Sequence, residues 1–205
     1  MNNIYLVGFM ATGKTSVGCL LAKEKNRLEN RGLASFGQSH SQSQWQFVDL
    51  DDLIEFKEKH RIADIFSKKG EPYFRRVEKQ TLKEVSREKN FVLACGGGAV
   101  IDPENIRTMK ETGIIVCLSA IPEVILKRTS GCVHRPLLNV KEPKKQIELL
   151  LKLRAPYYAK ADKKIDTSKL SVGQVVKNII KVTSRKTQVT SKKTKVRAKS
   201  KKRVH

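Results

Sequence analysis

The segment at residues 8–15, Gly-Phe-Met-Ala-Thr-Gly-Lys-Thr, constrains the fold more than any other part of the chain. It follows the apolar run at residues 4–7 and leads into a helix-like pattern over residues 16–25. Strand, glycine-bounded loop, Lys-Thr and helix make up the phosphate-binding loop G-x-x-x-x-G-K-S/T, whose backbone N–H groups surround phosphate oxygens. The sequence therefore predicts that a nucleoside triphosphate binds at Ala11, Thr12, Gly13, Lys14, Thr15 and Ser16.

A second polar segment, Phe-Val-Asp-Leu-Asp-Asp at residues 47–52, follows a short apolar run. Acidic residues after a buried strand beside a phosphate loop lie where α/β sheets bind ligands. Asp49 and Asp51 are two residues apart, so in an extended chain they share a face. One would hold Mg²⁺ through water, together with the Thr15 hydroxyl, and the other would receive an alcohol proton. Asp52 is better suited to capping the helix that follows.

The charge of the chain is distributed unevenly. The 205 residues carry a formal net charge of +22, and residues 182–205 contain ten Lys or Arg and no Asp or Glu, which leaves +12 for residues 1–181. A basic body suits an enzyme with anionic ligands and is equally compatible with a solvated surface. The basic tail is expected to be disordered and to permit non-specific contact with nucleic acid or an anionic surface.

The four cysteines form no Cys-x-x-Cys pair and have no histidine at metal-ligand spacing, so no zinc site is predicted. Three lie in apolar surroundings, which favours buried thiols in a reducing compartment. The N-terminus lacks the pattern of a secretory leader, and no apolar stretch reaches transmembrane length. We therefore expect a cytoplasmic protein without a membrane segment.

Apolar runs of strand length alternate with helix-like segments along the chain. The runs stand at residues 4–7, 47–48, 91–95, 114–118 and 165, and the helix-like segments at 53–59, 75–87, 102–112, 122–129, 143–155 and 172–182. This alternation predicts an α/β fold, a mostly parallel sheet with helices on both faces, over residues 1–182. Residues 31–46 are predicted to form a long polar loop anchored by Trp45, and residues 183–205 form the tail.

Further motifs follow the phosphate loop and the aspartates in order: Ile-Ala-Asp-Ile-Phe at 62–66, Gly-Glu-Pro-Tyr-Phe-Arg-Arg-Val-Glu at 70–78, Gly-Gly-Gly at 96–98, Arg-Pro-Leu-Leu at 135–138, Arg-Ala-Pro-Tyr-Tyr at 154–158 and Ile-Asp-Thr at 165–167. The ordered set closely resembles the shikimate kinase family across about residues 1–181. The resemblance implies a P-loop fold of the nucleoside-monophosphate-kinase type, a parallel sheet sandwiched by helices, with a mobile lid at about residues 129–142.

The resemblance also implies an activity, transfer of the ATP γ-phosphoryl group to the 3-hydroxyl of shikimate with Mg²⁺ as cofactor. It assigns catalysis to Lys14, Asp51 and Arg135, where Asp51 is the base and Arg135 closes with the lid onto the transferred group. It assigns the metal to Thr15 and Asp49, and adenine to Arg128. Shikimate would be bound by Asp51, Arg75, Gly97, Gly98 and Arg154, with the two arginines on its carboxylate.

Several features depart from the family's usual pattern, and alternatives remain open. The loop at residues 31–46 is longer than usual, Ala11 stands where Gly is common, and Leu50 stands where a small hydroxyl residue is common. Another small-molecule P-loop kinase, such as a gluconate kinase, is one alternative. Discrimination rests on Arg75 and Arg154, which need an acidic substrate, and on the aspartate after the second strand. An inactive homologue with a nucleic-acid-binding tail is the other. We expect a monomer.

Overall fold

The chain is described by a computed structural model over residues 3–34, 44–130 and 140–184. Its centre is a five-stranded sheet in the order β2-β3-β1-β4-β5, in which every pairing is parallel. The strands are β1 (Asn3–Val7), β2 (Gln46–Asp49), β3 (Phe91–Ala94), β4 (Gly113–Ser119) and β5 (Lys163–Asp166). The predicted α/β fold is confirmed.

Helices cover both faces of this sheet. They are α1 (Lys14–Ala34), α2 (Leu50–Glu58), α3 (Ile62–Val85), α4 (Pro103–Thr112), α5 (Pro122–Thr129), α6 (Pro143–Tyr158) and α7 (residues 172–184). Along β1, Tyr5 and Val7 enter the core cluster beneath α2, α3 and α4, whereas Ile4 and Leu6 enter the cluster beneath α1 and α7. Burial on both faces explains why the strands read as apolar runs. No described helix is long and apolar enough to cross a bilayer.

The end of α1 differs from the predicted boundary. The helix continues to Ala34, so the first four residues of the predicted loop at residues 31–46 are helical, and β2 begins at Gln46. Trp45 is buried, and its ring nitrogen donates to the Glu29 carboxylate at 2.6 Å. Trp45 also contacts Lys25 and Asn26, so it fixes the start of β2 to α1 at residues that precede the additional helical turn. The role of Trp45 as an anchor is confirmed.

The helix after α2 starts earlier than the pattern predicts and is interrupted. A helix was expected from residue 75, whereas α3 begins at Ile62 and contains a break at Gly70, where φ is 78° and ψ is 169°. Glycine adopts this conformation without strain, and Pro72 suits the first turn of the helix that restarts after it. The break therefore resets the helix phase just before Arg75.

The last helix passes the predicted boundary of the folded part. α7 extends to residue 184, two residues beyond the expected end at 182, and the Thr183 hydroxyl donates to the Ile179 carbonyl at 2.9 Å. Thr183 is therefore part of the last helical turn rather than of the tail. The remaining predicted tail, residues 185–205, lies outside the described residues.

Candidate active site

A cavity of about 520 Å³ opens at the carboxyl ends of β1, β2 and β3. The loops after these strands converge there because parallel strands end at the same edge of a sheet. Its lining includes the predicted site residues Ala11, Gly13, Lys14, Thr15, Ser16, Asp49, Asp51, Arg75, Gly97, Gly98 and Arg154. Thr12 and Arg128 lie near the phosphate loop but do not line the cavity, and Arg135 with most of the predicted lid lies outside the described residues.

The phosphate loop between β1 and α1 depends on left-handed backbone. Gly8 has a φ of 138°, and a Cβ there would lie 2.1 Å from the Leu118 carbonyl oxygen, so only glycine fits. Ala11, which replaces the common Gly, keeps a positive φ of 59°. An L-residue with this backbone costs about 1 kcal/mol. The substitution therefore preserves the shape of the loop at the expense of strain at its tip.

Side chains brace the loop from within. Thr12 is fully buried, and its hydroxyl donates to the Phe9 carbonyl at 2.8 Å, so its side chain holds the loop together, and its contact with a nucleotide stays a prediction. The Lys14 ammonium donates to the Gly8 and Phe9 carbonyls, at 3.0 Å each. It is therefore held at the loop, within reach of phosphates bound to the N-terminus of α1.

Arg128, at the end of α5, binds the loop from outside. Its guanidinium donates to the Ala11 carbonyl at 3.2 Å and to the Thr167 carbonyl at 2.9 Å. The Thr167 hydroxyl in turn donates to the Thr12 carbonyl at 3.2 Å. These bonds tie the phosphate loop to the segment after β5. The contact of Arg128 with adenine stays a prediction.

Asp49 has a geometry that the sequence did not indicate. It ends β2 and caps α2, accepting a bond from the backbone N–H of Asp51 at 3.1 Å. The prediction that the two aspartates share a face of extended chain is therefore wrong, because Asp51 already belongs to the first helical turn. The cap also explains why α2 begins at Leu50 instead of Leu53.

The predicted metal residues are in contact. The Thr15 hydroxyl donates to the second oxygen of Asp49 at 3.0 Å. Hydroxyl and carboxylate oxygens are the donors that Mg²⁺ prefers, so these residues fit that ion. Within the described ranges, no group of three or more His, Cys, Asp or Glu side chains could hold a metal. Mg²⁺ usually binds to one or two protein oxygens plus substrate phosphates and water, and Thr15 and Asp49 offer two such oxygens.

Asp51 lies deeper in the cavity, against the glycine turn that follows β3. A Cβ on Gly96 would be 2.9 Å from its carboxylate oxygen. Burial, reinforced by the neighbouring charge of Asp49, raises the pKa of Asp51 to about 6, although Lys14 acts in the opposite direction. A carboxyl with this pKa is mostly ionised at neutral pH and is a much better proton acceptor than an exposed aspartate.

Arg75 projects from the restarted half of α3 towards the same glycine turn. A Cβ on Gly98 would lie 2.5 Å from its guanidinium, so the absence of a side chain there makes room for the arginine. Glu78 accepts from Arg75 at 2.8 Å, and Glu71 accepts at 3.0 Å. The adjacent Arg76 is exposed and lies over the Tyr73 ring instead, 5.0 Å from its centre.

Glu78 is a site residue for which no role was predicted. It is 1% exposed, and its other carboxylate oxygen has no hydrogen-bond partner in the described chain. Burial raises its pKa, and the neighbouring Arg75 charge opposes that shift. The signal in the sequence was its position three residues after Arg75, one helical turn along the same face.

Arg154, on α6, completes the cavity from the opposite side. Its guanidinium lies over the Phe9 ring, 5.7 Å from the centre, and 3.0 Å from where a Cβ of Gly97 would be. Arg75 and Arg154 therefore approach neighbouring glycines of one turn from two different helices. Two cations that converge in this way suit a bound anion such as a carboxylate.

The fold and the site together define the class. A parallel sheet with a phosphate loop after its central strand, facing an acceptor cavity lined by a carboxylate and two arginines, makes this protein a P-loop kinase of α/β architecture. Comparison with known proteins narrows the class further. The family model for shikimate kinase matches residues 34–184. The chain belongs to the shikimate kinase family, which confirms the resemblance seen in its motifs.

Individual relatives agree along nearly the whole chain. The shikimate kinase of Thermoanaerobacter pseudethanolicus is 42% identical over 185 residues, covering 90% of this chain and 98% of that protein. The shikimate kinase of Thermodesulfovibrio yellowstonii is 41% identical, covering 90% and 96%. Among solved structures, shikimate kinase from Acinetobacter baumannii in complex with shikimate has a TM-score of 0.75 and 36% identity, covering 89% of this chain and 92% of that one.

Proposed function

We propose that this protein transfers the γ-phosphoryl group of ATP to the 3-hydroxyl of shikimate, giving 3-phosphoshikimate and ADP. The observation that carries the proposal is the convergence of Arg75 and Arg154 on the turn of Gly97 and Gly98, across a single cavity from the phosphate loop. An acid with ring hydroxyls can use both arginines for its carboxylate and present a hydroxyl to Asp51.

The nucleotide would bind with its phosphates at the N-terminus of α1. Backbone N–H groups of the loop would donate hydrogen bonds to the phosphate oxygens, and the Lys14 ammonium would exchange its bonds to the Gly8 and Phe9 carbonyls for phosphate oxygens. Thr15 and Asp49 would hold Mg²⁺, which would supply positive charge to the phosphates of the nucleotide. Lys14, Thr15 and Asp49 all line the cavity, so a nucleotide bound by them would present its γ-phosphoryl group to an acceptor there.

The acceptor hydroxyl would lie between Asp51 and the γ-phosphoryl group. Asp51 takes the hydroxyl proton as the oxygen bonds to phosphorus, and the bond to the bridging oxygen of ADP breaks. The raised pKa of Asp51, about 6, is close to neutral pH, so the ionised base is available and still binds the proton well. Arg135 of the predicted lid would add positive charge to the transferred group.

A coupled assay of ADP release with shikimate, quinate and gluconate, each at saturating ATP and Mg²⁺, tests this proposal. We expect turnover with shikimate at a kcat/KM far above the other two. Quinate keeps the carboxylate but differs in its ring, so it reports on how closely the cavity fits the acid. Preference for gluconate would replace the proposed substrate with that of the alternative kinase, and no turnover of any acid would favour the inactive homologue.

Two further expectations concern the oligomeric state of the protein and its location in the cell. A monomer is expected, and light scattering on the purified protein measures the oligomeric state. A cytoplasmic location is expected because the buried free thiols of Cys95 and Cys117 suit a reducing compartment. Fractionation of cells that produce the protein tests that location.

A further inference from the structure

Tyr158, the last residue of α6, links two parts of the candidate site. It is 8% exposed, and its ring belongs to the core cluster on the α2, α3 and α4 face of the sheet. Its hydroxyl donates to the Gly97 carbonyl at 2.9 Å. Burial raises the pKa of this hydroxyl to about 12, so it stays protonated and remains a donor at neutral pH.

Arg154 lies one helical turn before Tyr158, on the same face of α6. A Cβ on Gly97 would lie 3.0 Å from the Arg154 guanidinium and 3.5 Å from the Tyr158 hydroxyl. Both side chains therefore contact a single glycine. The Phe9 ring lies against the guanidinium, 5.7 Å away, so the arginine is held in a slot between this ring and the glycine turn.

This arrangement has a geometric consequence for binding. Arg154 lines the cavity from α6, whereas Gly97 and Gly98 line it from the loop after β3. The hydrogen bond from Tyr158 to Gly97 connects α6 directly to this loop beside the cavity. A shift of the turn relative to α6 would change the distance between the arginine and the backbone groups that contact the same small acid.

We propose that Tyr158 is a positioning residue for the acceptor, which fixes the glycine turn against Arg154 through its hydroxyl bond to Gly97 and thereby sets the affinity for the acid. This role rests on the proposed function, because it concerns the same cavity. Tyr158 is not among the described residues that line the cavity, and its hydroxyl is bonded to Gly97, so we expect its effect on acceptor binding rather than on the chemical step.

The test compares Tyr158→Phe with Tyr157→Phe in the intact chain. Each variant removes one hydroxyl and keeps the ring, and Tyr157 also packs against the same core cluster, with the Lys160 ammonium 5.4 Å from its ring centre. In Tyr158→Phe we expect the KM for shikimate to rise about tenfold, while kcat and the KM for ATP stay within about twofold. Tyr157→Phe should leave all three values near those of the wild type.

A double-mutant cycle with Arg154→Ala separates positioning from general stability. If Tyr158 acts through Arg154, Tyr158→Phe should raise the KM for shikimate much less in the Arg154→Ala background. An equal effect in both backgrounds, or a lowered melting temperature with unchanged KM, overturns the positioning role. Wild-type turnover is measured in the same series. An inactive wild type overturns the proposed function and this role together, whereas an active wild type with an unchanged Tyr158→Phe overturns this role alone.

Discussion

At the scale of single residues, the surroundings of Asp51 decide what its carboxyl can do. It lies beside Gly96 and close to the phosphate loop. Asparagine has nearly the same shape as aspartate, so replacing Asp51 with it tests the charge alone. Asp51→Asn should lower kcat by about 10²-fold or more, because the amide cannot take the hydroxyl proton. Calorimetry should show nearly unchanged ATP binding. Lost ATP affinity with phosphoryl transfer intact would mean that Asp51 serves the nucleotide instead.

The raised pKa of Asp51 also makes the stability of the protein depend on pH. Folding raises this pKa from 3.8 to about 6, so the stability that comes from the protonated form is full below pH 3.8 and is lost as the pH rises through about 6. The Asp51→Asn variant keeps this stability at every pH, because its amide does not ionise. We expect the variant to match the wild type near pH 4 and to be more stable at pH 7, by up to about 3 kcal/mol.

Urea denaturation at several pH values measures this difference. Asp52→Asn is the matched control, since Asp52 lies in the same helical turn and is exposed. Its variant should show a much smaller change with pH. A constant difference between Asp51→Asn and the wild type from pH 4 to pH 7 would contradict the raised pKa.

Arg75 and Arg76 provide an internal comparison for the choice of an acidic substrate. Arg75 is fixed by Glu71 and Glu78 and faces the cavity, whereas Arg76 is exposed over Tyr73. Arg75→Lys keeps the charge and loses the planar fork, so the KM for shikimate should rise roughly tenfold. Arg76→Lys should leave it unchanged. Equal saturation kinetics in both variants would remove the argument for a carboxylate.

Residue types and their order along the chain predicted most of the residues at the cavity. The residues that were not predicted are buried polar side chains. Lys14, Thr15, Asp51, Arg75 and Arg154 all lie at the cavity as expected. By contrast, Glu78 and Tyr158 had no predicted role, because a sequence does not show that a polar side chain is enclosed by the fold. The predicted geometry of Asp49 was wrong, because a residue caps a helix only where the helix starts, and the start of α2 was placed too late.

At the scale of elements, the break in α3 sets the direction of Arg75. Gly70 has a backbone that only glycine adopts readily, and a Cβ there would meet nothing closer than Pro72, at 3.7 Å. Gly70→Ala should therefore cost about 1–3 kcal/mol of stability through backbone strain alone. Because the helix restarts at this point, we also expect the KM for shikimate to rise several-fold.

Gly173→Ala in α7 is the control for Gly70→Ala. A Cβ on Gly173 would meet no atom within 4 Å, and the residue is helical, so alanine should be neutral or add up to about 1 kcal/mol. Denaturant unfolding gives both stabilities, and saturation kinetics give both KM values. A Gly70→Ala variant as stable as the wild type, with the same KM, would show that the break follows from neighbouring packing.

The existence of the elements was predictable, and several of their ends were not. Alternating apolar runs and amphipathic segments indicated the strands and most helices because burial repeats with the period of each element. Both α1 and the break in α3 are held by contacts between residues distant in sequence, such as Trp45 with Glu29 and both Lys69 and Tyr73 with Glu58. Local propensity contains no information on such contacts.

At the scale of the whole molecule, the densest run of basic residues follows, in sequence, the part of the chain that forms the cavity. Residues 185–205 hold ten of the 42 basic residues and no acidic ones. Truncation after Ser184, which keeps α7 whole, should leave kcat and both KM values nearly unchanged. Binding to a short RNA should weaken, and in the full chain it should fall steeply with added salt. Fluorescence titration at two salt concentrations measures it, and loss of shikimate phosphorylation would show that the tail supports the kinase fold.

The junction between α1 and β2 has a consequence for how the chain tolerates insertions. Asn26 and Trp45 exchange two hydrogen bonds, at 2.7 and 2.9 Å, and the Lys25 ammonium lies 4.4 Å from the centre of the Trp45 ring. Both ends of the intervening segment are thereby fixed to each other, away from the cavity. Doubling the length of a connection with fixed ends costs only about 0.6 kcal/mol of closure entropy. Extra residues can therefore accumulate here in evolution without disturbing phosphoryl transfer.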